Sequence, residues 1–300
     1  MLAIIIPYYR FTFFDKTLQS LANQIDKRFK VYIGDDASPE NPIELLEKYK
    51  GQFDFVYHRF ETNLGNISLT KQWERCIALS SNEWLMILGD DDVLGENVIE
   101  EFYNNILEVK INEINVIRFA SQKIDGNGKI ISGIFEHPTI ERAVQFLFDK
   151  TRSSLSEYIF RKQSVLTIGI RDFPLAWFSD VLAVLEFSNF DVIYTINKSV
   201  VSIRISSQSI SGSSKYEKQK LQAKFEFYYY LVNNKCHFFS EAEVNELFFR
   251  LQKCYIDNRR QFLFFFLISK LYFKNLKFRD YGLFLKKSFL KNVYKVNNEK

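Results

Sequence analysis

Three aspartates in succession, Asp90, Asp91 and Asp92, close an apolar run that begins at Trp84. Carboxylates crowded in this way raise one another's pKa unless a cation sits among them. Hard oxygen donors suit magnesium or manganese, ions that keep positions open for phosphate oxygens. The same triplet also reads as an exposed turn in which Asp92 caps the next helix, and spacing alone leaves the two readings level. A second pair, Asp35 and Asp36, follows another apolar run and precedes a Ser-Pro turn. One of this pair can accept hydrogen bonds from a base or a ribose, although an Asp bonding its own backbone two residues on is the plainer reading. Asp180, at the end of the stretch Phe173 to Asp180, has the chemistry of a general base for a hydroxyl proton or, more plainly, of a helix cap.

These acids need elements to carry them. Short apolar runs alternate with amphipathic stretches over the first half of the chain, which predicts a mostly parallel α/β sheet. Strands are expected over Leu2 to Pro7, Phe29 to Gly34, Phe53 to Tyr57 and Glu83 to Leu88. The intervening helices carry Leu18, Leu21 and Ile25, then Leu45, then Leu69, Trp73 and Ile77. Thr12 and Asp15 are spaced as a capping box for the first helix. Further on, the pattern predicts a helix from Asn97 to about Val109, a strand near Val116 to Ala120, a turn at Asp125 to Gly128, strands over Ser156 to Arg161 and Asp191 to Ile205, and a helix over Asp180 to Phe187. Ligands of open α/β sheets bind beyond the carboxyl ends of the strands, so Tyr8, Asp36 and Asp91 are expected to converge there.

Taken in order, Ile4 to Tyr9, Gly34 to Ser38, Asn63 to Gly65, Trp84 to Asp92 and Phe178 to Asp180 form a series that resembles the family 2 inverting glycosyltransferases of GT-A fold. The run Ile203 to Ser211 is similar to the segment that follows the catalytic residues in that family. The resemblance covers roughly residues 1 to 212. It implies that Pro7 and Tyr9 line a nucleotide pocket, that Asp36 hydrogen-bonds the base and that Asp90 contacts the ribose region. It further implies that Asp91, with Asp92, binds Mn2+ or Mg2+ bridging a diphosphate, and that Asp180 is the base that deprotonates an acceptor hydroxyl. Uridine is the base the resemblance favours, with guanosine and thymidine open. Arg204 suits a phosphate contact or an ordinary strand surface, and Trp177 suits stacking on an acceptor sugar or simple packing. Three positions depart from the family pattern: Arg10 stands where asparagine is common, Gly89 where many members have an acid, and Ser179 where a glutamate usually precedes the base. Ser206 and Ser207 stand where a histidine is frequent.

Composition narrows the rest. Three cysteines without close spacing fit neither a disulfide framework nor a zinc site, which points to a reducing, cytoplasmic setting. His58, His137 and His237 are scattered and read as structural. The net charge of +4 hides an asymmetry: residues 251 to 300 hold 12 Lys+Arg against 3 Asp+Glu. A boundary is expected near Gly212, dividing a catalytic domain over 1–212 from a basic, aromatic-rich helical region over 213–300. Lysines of that region recur at helical spacing among Phe and Leu, which fits an anionic membrane surface, with a solvated helix face as the alternative. No nucleic-acid recognition motif accompanies them. A phosphatase using a Gly-Asp-Asp turn is a poor rival, since Pro7-Tyr8-Tyr9 stands where its nucleophilic Asp belongs. The expected partners are a nucleotide-sugar donor and a glycan or lipid-linked glycan acceptor in surface polysaccharide synthesis, with a catalytically degenerate binding protein on the same fold as the alternative.

Overall fold

The structure, a computed structural model, describes residues 1–148, 154–206, 216–257 and 261–296. It divides into two compact units, Met1–Tyr216 and Glu217–Lys300. Gly212 and the run from Ser207 to Ser211 lie outside the described residues.

In the first unit the chain runs β1 (Leu2–Tyr8), α1 (Phe14–Ala22), β2 (Phe29–Asp35), α2 (Ile43–Lys48), β3 (Asp54–Arg59), α3 (Leu69–Ile77) and β4 (Trp84–Ile87). It continues through β5 (Val93–Leu94), α4 (Val98–Ile111), β6 (Val116–Ile124), β7 (Ile140–Arg142), α5 (Gln145–Phe148), β8 (Tyr158–Arg161), α6 (Lys162–Ile168), α7 (Ser179–Phe187) and β9 (Val192–Arg204). All nine strands form one sheet in the order β3-β2-β1-β4-β8-β6-β9-β5, with β7 paired to β9. The pairs β1–β2, β1–β4, β2–β3 and β6–β9 are parallel. β8 is antiparallel to both β4 and β6, and β9 is antiparallel to β5 and β7.

β1 is apolar on both faces because helices cover both. Leu2, Ile4 and Ile6 pack in one core with Phe14 and Leu18 of α1, Leu45 and Leu46 of α2, and Ile99 and Phe102 of α4. α3 lies against β1 and β2 from the other side. Each such large side chain, fully buried, contributes about 2 kcal/mol.

The strand directions fix where the acids go. β1, β2 and β4 end at one edge of the sheet, so Tyr8, Asp35 and Leu88 mark a common rim. β8 runs the other way and brings its amino end, just after Ser156, to that rim. β6 and β9 are parallel to β4, so Ile124 and Arg204 also end there. α7 feeds β9 from the opposite edge, and its chain direction points its amino end back toward the rim side of the sheet.

Several expectations are corrected. α1 starts at Phe14 with Phe13 at the cap and no side-chain cap bond; the Asp15 carboxylate accepts the Tyr49 hydroxyl at 2.8 Å instead of closing a box with Thr12. Ile25 is exposed. Ser156 belongs to a 3-10 turn, Leu155–Glu157, that precedes β8. β5, β7, α5 and α6 carried too little pattern to be expected at all.

The second unit contains α8 (Glu217–Asn234), α9 (Glu241–Asp257), α10 (Phe262–Lys274) and α11 (Phe278–Val296). Its core is largely aromatic, with Phe225 stacked on Phe264 and Phe248 packed on Tyr272.

Candidate active site

The acids of β2 are absorbed by the structure around them. Asp35 is fully buried and accepts from the Ser38 amide at 2.7 Å, the Tyr57 hydroxyl at 2.5 Å and Arg59 Nη1 at 2.8 Å. Asp36 accepts from the amides of Leu64 at 2.7 Å and Gly65 at 2.9 Å, and from the Arg75 guanidinium. Glycine is required at 65, since a Cβ there would stand 2.5 Å from the Asp36 carboxylate. Arg75 also lies over the Phe60 ring at 3.9 Å. Asp36 thus ties the Asn63–Gly65 loop to the rim.

Asp90 reaches across to the end of β1. Its Oδ2 accepts from the amides of Tyr9 at 2.9 Å and Arg10 at 2.8 Å. Burial raises the Asp90 carboxyl, and those two amides oppose the rise. Tyr9 and Arg10 are exposed and Pro7 is half-buried, so the segment after β1 offers a ring and a backbone to the rim.

Asp91 and Asp92 are neighbours with different surroundings. Asp92 is buried; its Oδ2 accepts from Ser156 Oγ at 2.5 Å and its Oδ1 from the Arg204 amide at 2.8 Å. Ser156 Oγ in turn accepts from the Gly89 amide at 3.0 Å. The departure at Gly89 has a steric reason: a Cβ there would stand 3.0 Å from Asp91 Oδ1 and 3.1 Å from Asp92 Oδ2. Asp91, by contrast, is held up to about 8, first by burial and then by the charges of Asp92 and Asp90, with Arg204 pulling the other way.

Arg204 is neither a surface arginine nor open to a phosphate through all its donors. It is buried, its Nε donates to the Asp91 carbonyl and its Nη1 to the Asp125 carbonyl, each at 2.8 Å, and its guanidinium sits 4.6 Å from the Phe13 ring centre. It braces the acid loop from behind.

Asp180 lies in the first turn of α7. The backbone leading to it is unusual: Leu175, Ala176 and Phe178 all have positive φ, at 62°, 53° and 70°. Left-handed conformations in three non-glycine residues are costly and cluster where a side chain must be aimed. The loop is closed by Ser179, whose buried Oγ accepts from the Phe173 amide at 3.1 Å, which gives that departure from the family pattern a structural task. Trp177, half-buried, sits in the same loop with its ring edge-on to Phe178. At the other end of α7, Phe187 packs on Phe160 of β8 at 5.2 Å and sets the helix direction.

Among the described residues, no group of three or more His, Cys, Asp or Glu side chains is arranged to hold a metal ion by itself. The donor set fits a divalent cation held by one carboxylate, Asp91, whose raised pKa marks uncompensated charge, with substrate oxygens and water filling the other positions. Asp92 also has a structural task, since its two oxygens accept bonds from Ser156 and the Arg204 amide. The sequence pattern missed Arg75 and Ser156. Arg75 lies on α3 one helical face away from the Asn63–Gly65 loop, a spacing that offered a weak signal; Ser156 offered none.

A mostly parallel sheet of this order, flanked by helices, is an open α/β fold of GT-A type. The sequence model of Glycosyl transferase family 2 matches residues 3–166, and the chain belongs to that family. Its α/β domain of GT-A type resembles the S. aureus TarS 1–349 structure in complex with UDP-GlcNAc, with TM-score 0.64 and 15% identity over 86% of this chain and 73% of that one. Among curated proteins it is similar to the poly(ribitol-phosphate) beta-N-acetylglucosaminyltransferase TarP of Staphylococcus aureus, 29% identical over 133 residues, which are 43% of this chain and 38% of TarP. It is also similar to glycosyltransferase GlyG of Streptococcus pneumoniae, 21% identical over 42% of each chain. The match thus spans about two-fifths of the length of these relatives.

Proposed function

We propose that this chain is an inverting glycosyltransferase that moves a sugar from a uridine diphosphate donor to a hydroxyl of a surface glycan or lipid-linked glycan. The observation that supports this reading is the single rim on which Asp90 meets the end of β1 and the acid loop meets Arg204, assembled from strands far apart in sequence. N-acetylglucosamine is the first donor sugar to test, since TarP is named for its transfer and the TarS structure holds UDP-GlcNAc.

In this reading the end of β1 and the Asp36-anchored loop shape the nucleotide pocket, with Tyr9 against the nucleotide and Asp90 fixing the Tyr9 and Arg10 amides beside the ribose. Asp91 would hold a manganese or magnesium ion, which would supply positive charge to neutralise the leaving diphosphate. Asp180 accepts the acceptor hydroxyl's proton as that oxygen bonds to the anomeric carbon. The bond from that carbon to the diphosphate oxygen breaks on the opposite face, so the configuration inverts. Trp177 supplies an apolar wall for the acceptor.

The test is release of UDP from a panel of UDP-sugars by the full chain, with manganese and with chelator. Release that requires the ion and disappears in Asp180→Asn supports the assignment. Donor binding without release in the presence of acceptor glycans identifies a binding protein instead.

A further inference from the structure

α10 has two opposed apolar faces, and only one of them is used within its unit. Phe264, Ile268, Leu271 and Tyr272 are buried, with Phe264 stacked on Phe225 at 3.7 Å between ring centres. On the other side Phe262, Phe266 and Phe273 are 79%, 58% and 55% exposed. At 3.6 residues per turn these three fall within about 40° of one another around the helix. The exposed surface continues through Leu276 into α11, where the Phe278 ring meets that of Phe273 at 5.9 Å. Phenylalanines are rarely left to water in such a row.

Cations flank the row. Lys270 follows Phe266 by one turn, and Arg279 and Lys286 lie on the exposed side of α11; all three are exposed. Residues 251 to 300 hold 12 Lys+Arg against 3 Asp+Glu, so the surface around the row is positive. No helix among the described residues is long and apolar enough to cross a membrane.

From this geometry we infer that α10 and the start of α11 form a docking face for an anionic bilayer, lying in the headgroup layer with the phenylalanines turned toward the acyl chains. Charge selects this occupant. A second copy laid on the same face would bring Lys270, Arg279 and Lys286 against their own counterparts, whereas acidic headgroups neutralise them. The aromatic row supplies the apolar contact that an interfacial helix needs, and the flanking cations supply the attraction.

The experiment is flotation of the full chain with vesicles of phosphatidylglycerol mixed with phosphatidylcholine, and with phosphatidylcholine alone. Binding to the mixed vesicles is expected to exceed binding to neutral ones by about tenfold or more. The double variant Phe266→Ser/Phe273→Ser is expected to lose it while keeping the wild-type melting temperature, and Lys270→Glu to weaken it by about tenfold. A separate variant, Phe266→Trp, is expected to be quenched more than the wild type by vesicles with brominated acyl chains. Equal binding to both lipids, full binding by the double serine variant, or no added quenching would each overturn the proposal. So would a dimer that the double serine variant disperses in a chain that binds no vesicle.

Discussion

The two halves of the sheet bring their carboxylates to the rim in opposite ways. In the half made of β3, β2, β1 and β4, Asp35, Asp36 and Asp90 are satisfied by amides, a tyrosine and arginines, so the scaffold is complete without a ligand. In the half made of β8, β6 and β9, Asp92 is spent on holding β9 and the turn before β8, while Asp180 is delivered by a strained loop. Asp91 stands at the seam, where burial and the charges of Asp92 and Asp90 raise its pKa. Asp35, Asp36, Asp90 and Asp92 are thus builders of the scaffold, and in the proposed reading Asp91 and Asp180 are the workers.

That division can be broken most strongly at the workers. Asp91→Asn and Asp180→Asn are each expected to lower sugar transfer about 10³-fold, measured as UDP release, and Asp180→Asn to leave the melting curve little changed. A builder should behave in reverse. Asp36→Ala leaves Arg75 largely buried without its partner and is expected to cost about 3 kcal/mol in denaturant unfolding. Asp92→Asn sharpens the contrast between neighbours. It should cost about 1–2 kcal/mol, because the bonds to the Arg204 amide and Ser156 are weakened, yet leave manganese affinity near that of the wild type, whereas Asp91→Asn should abolish that affinity.

A separate effect is on pH dependence. Asp91 titrates at about 8 in the folded chain, against roughly 4 when unfolded, so the folded form binds the extra proton at intermediate pH. Its contribution is intact in acid and is lost as the pH climbs toward 8. A bound cation cancels this loss. Melting temperatures from about pH 5 to about pH 8.5 should therefore separate into two diverging curves, with chelator and with manganese, and Asp91→Asn should merge them.

Much of the left half was legible in the sequence because its strands are continuous apolar runs and its acids directly follow them. The right half was less so. β7 pairs through Ile140, itself half exposed, and is fixed by Glu141 on the buried Arg118, an ion pair that leaves no periodic trace. β5 is two residues long and exists because β9 lies beside it. Asp91 and Asp92 are indistinguishable by pattern, since the donors that claim Asp92 come from residues 156 and 204. The same holds for Asp36, whose partners on the loop and on α3 appear only once the chain has folded.

The bond from the Arg204 amide to Asp92 sets an order of assembly. β9 is the last strand of its unit to be synthesised, and until it has left the ribosome the acid loop lacks both the edge that pairs with β5 and the arginine that braces it. Domains emerge from the amino end and fold as units. A nascent chain stopped just after residue 166 would carry Asp91 and Asp92 and still lack the Arg204 amide and guanidinium that hold their loop.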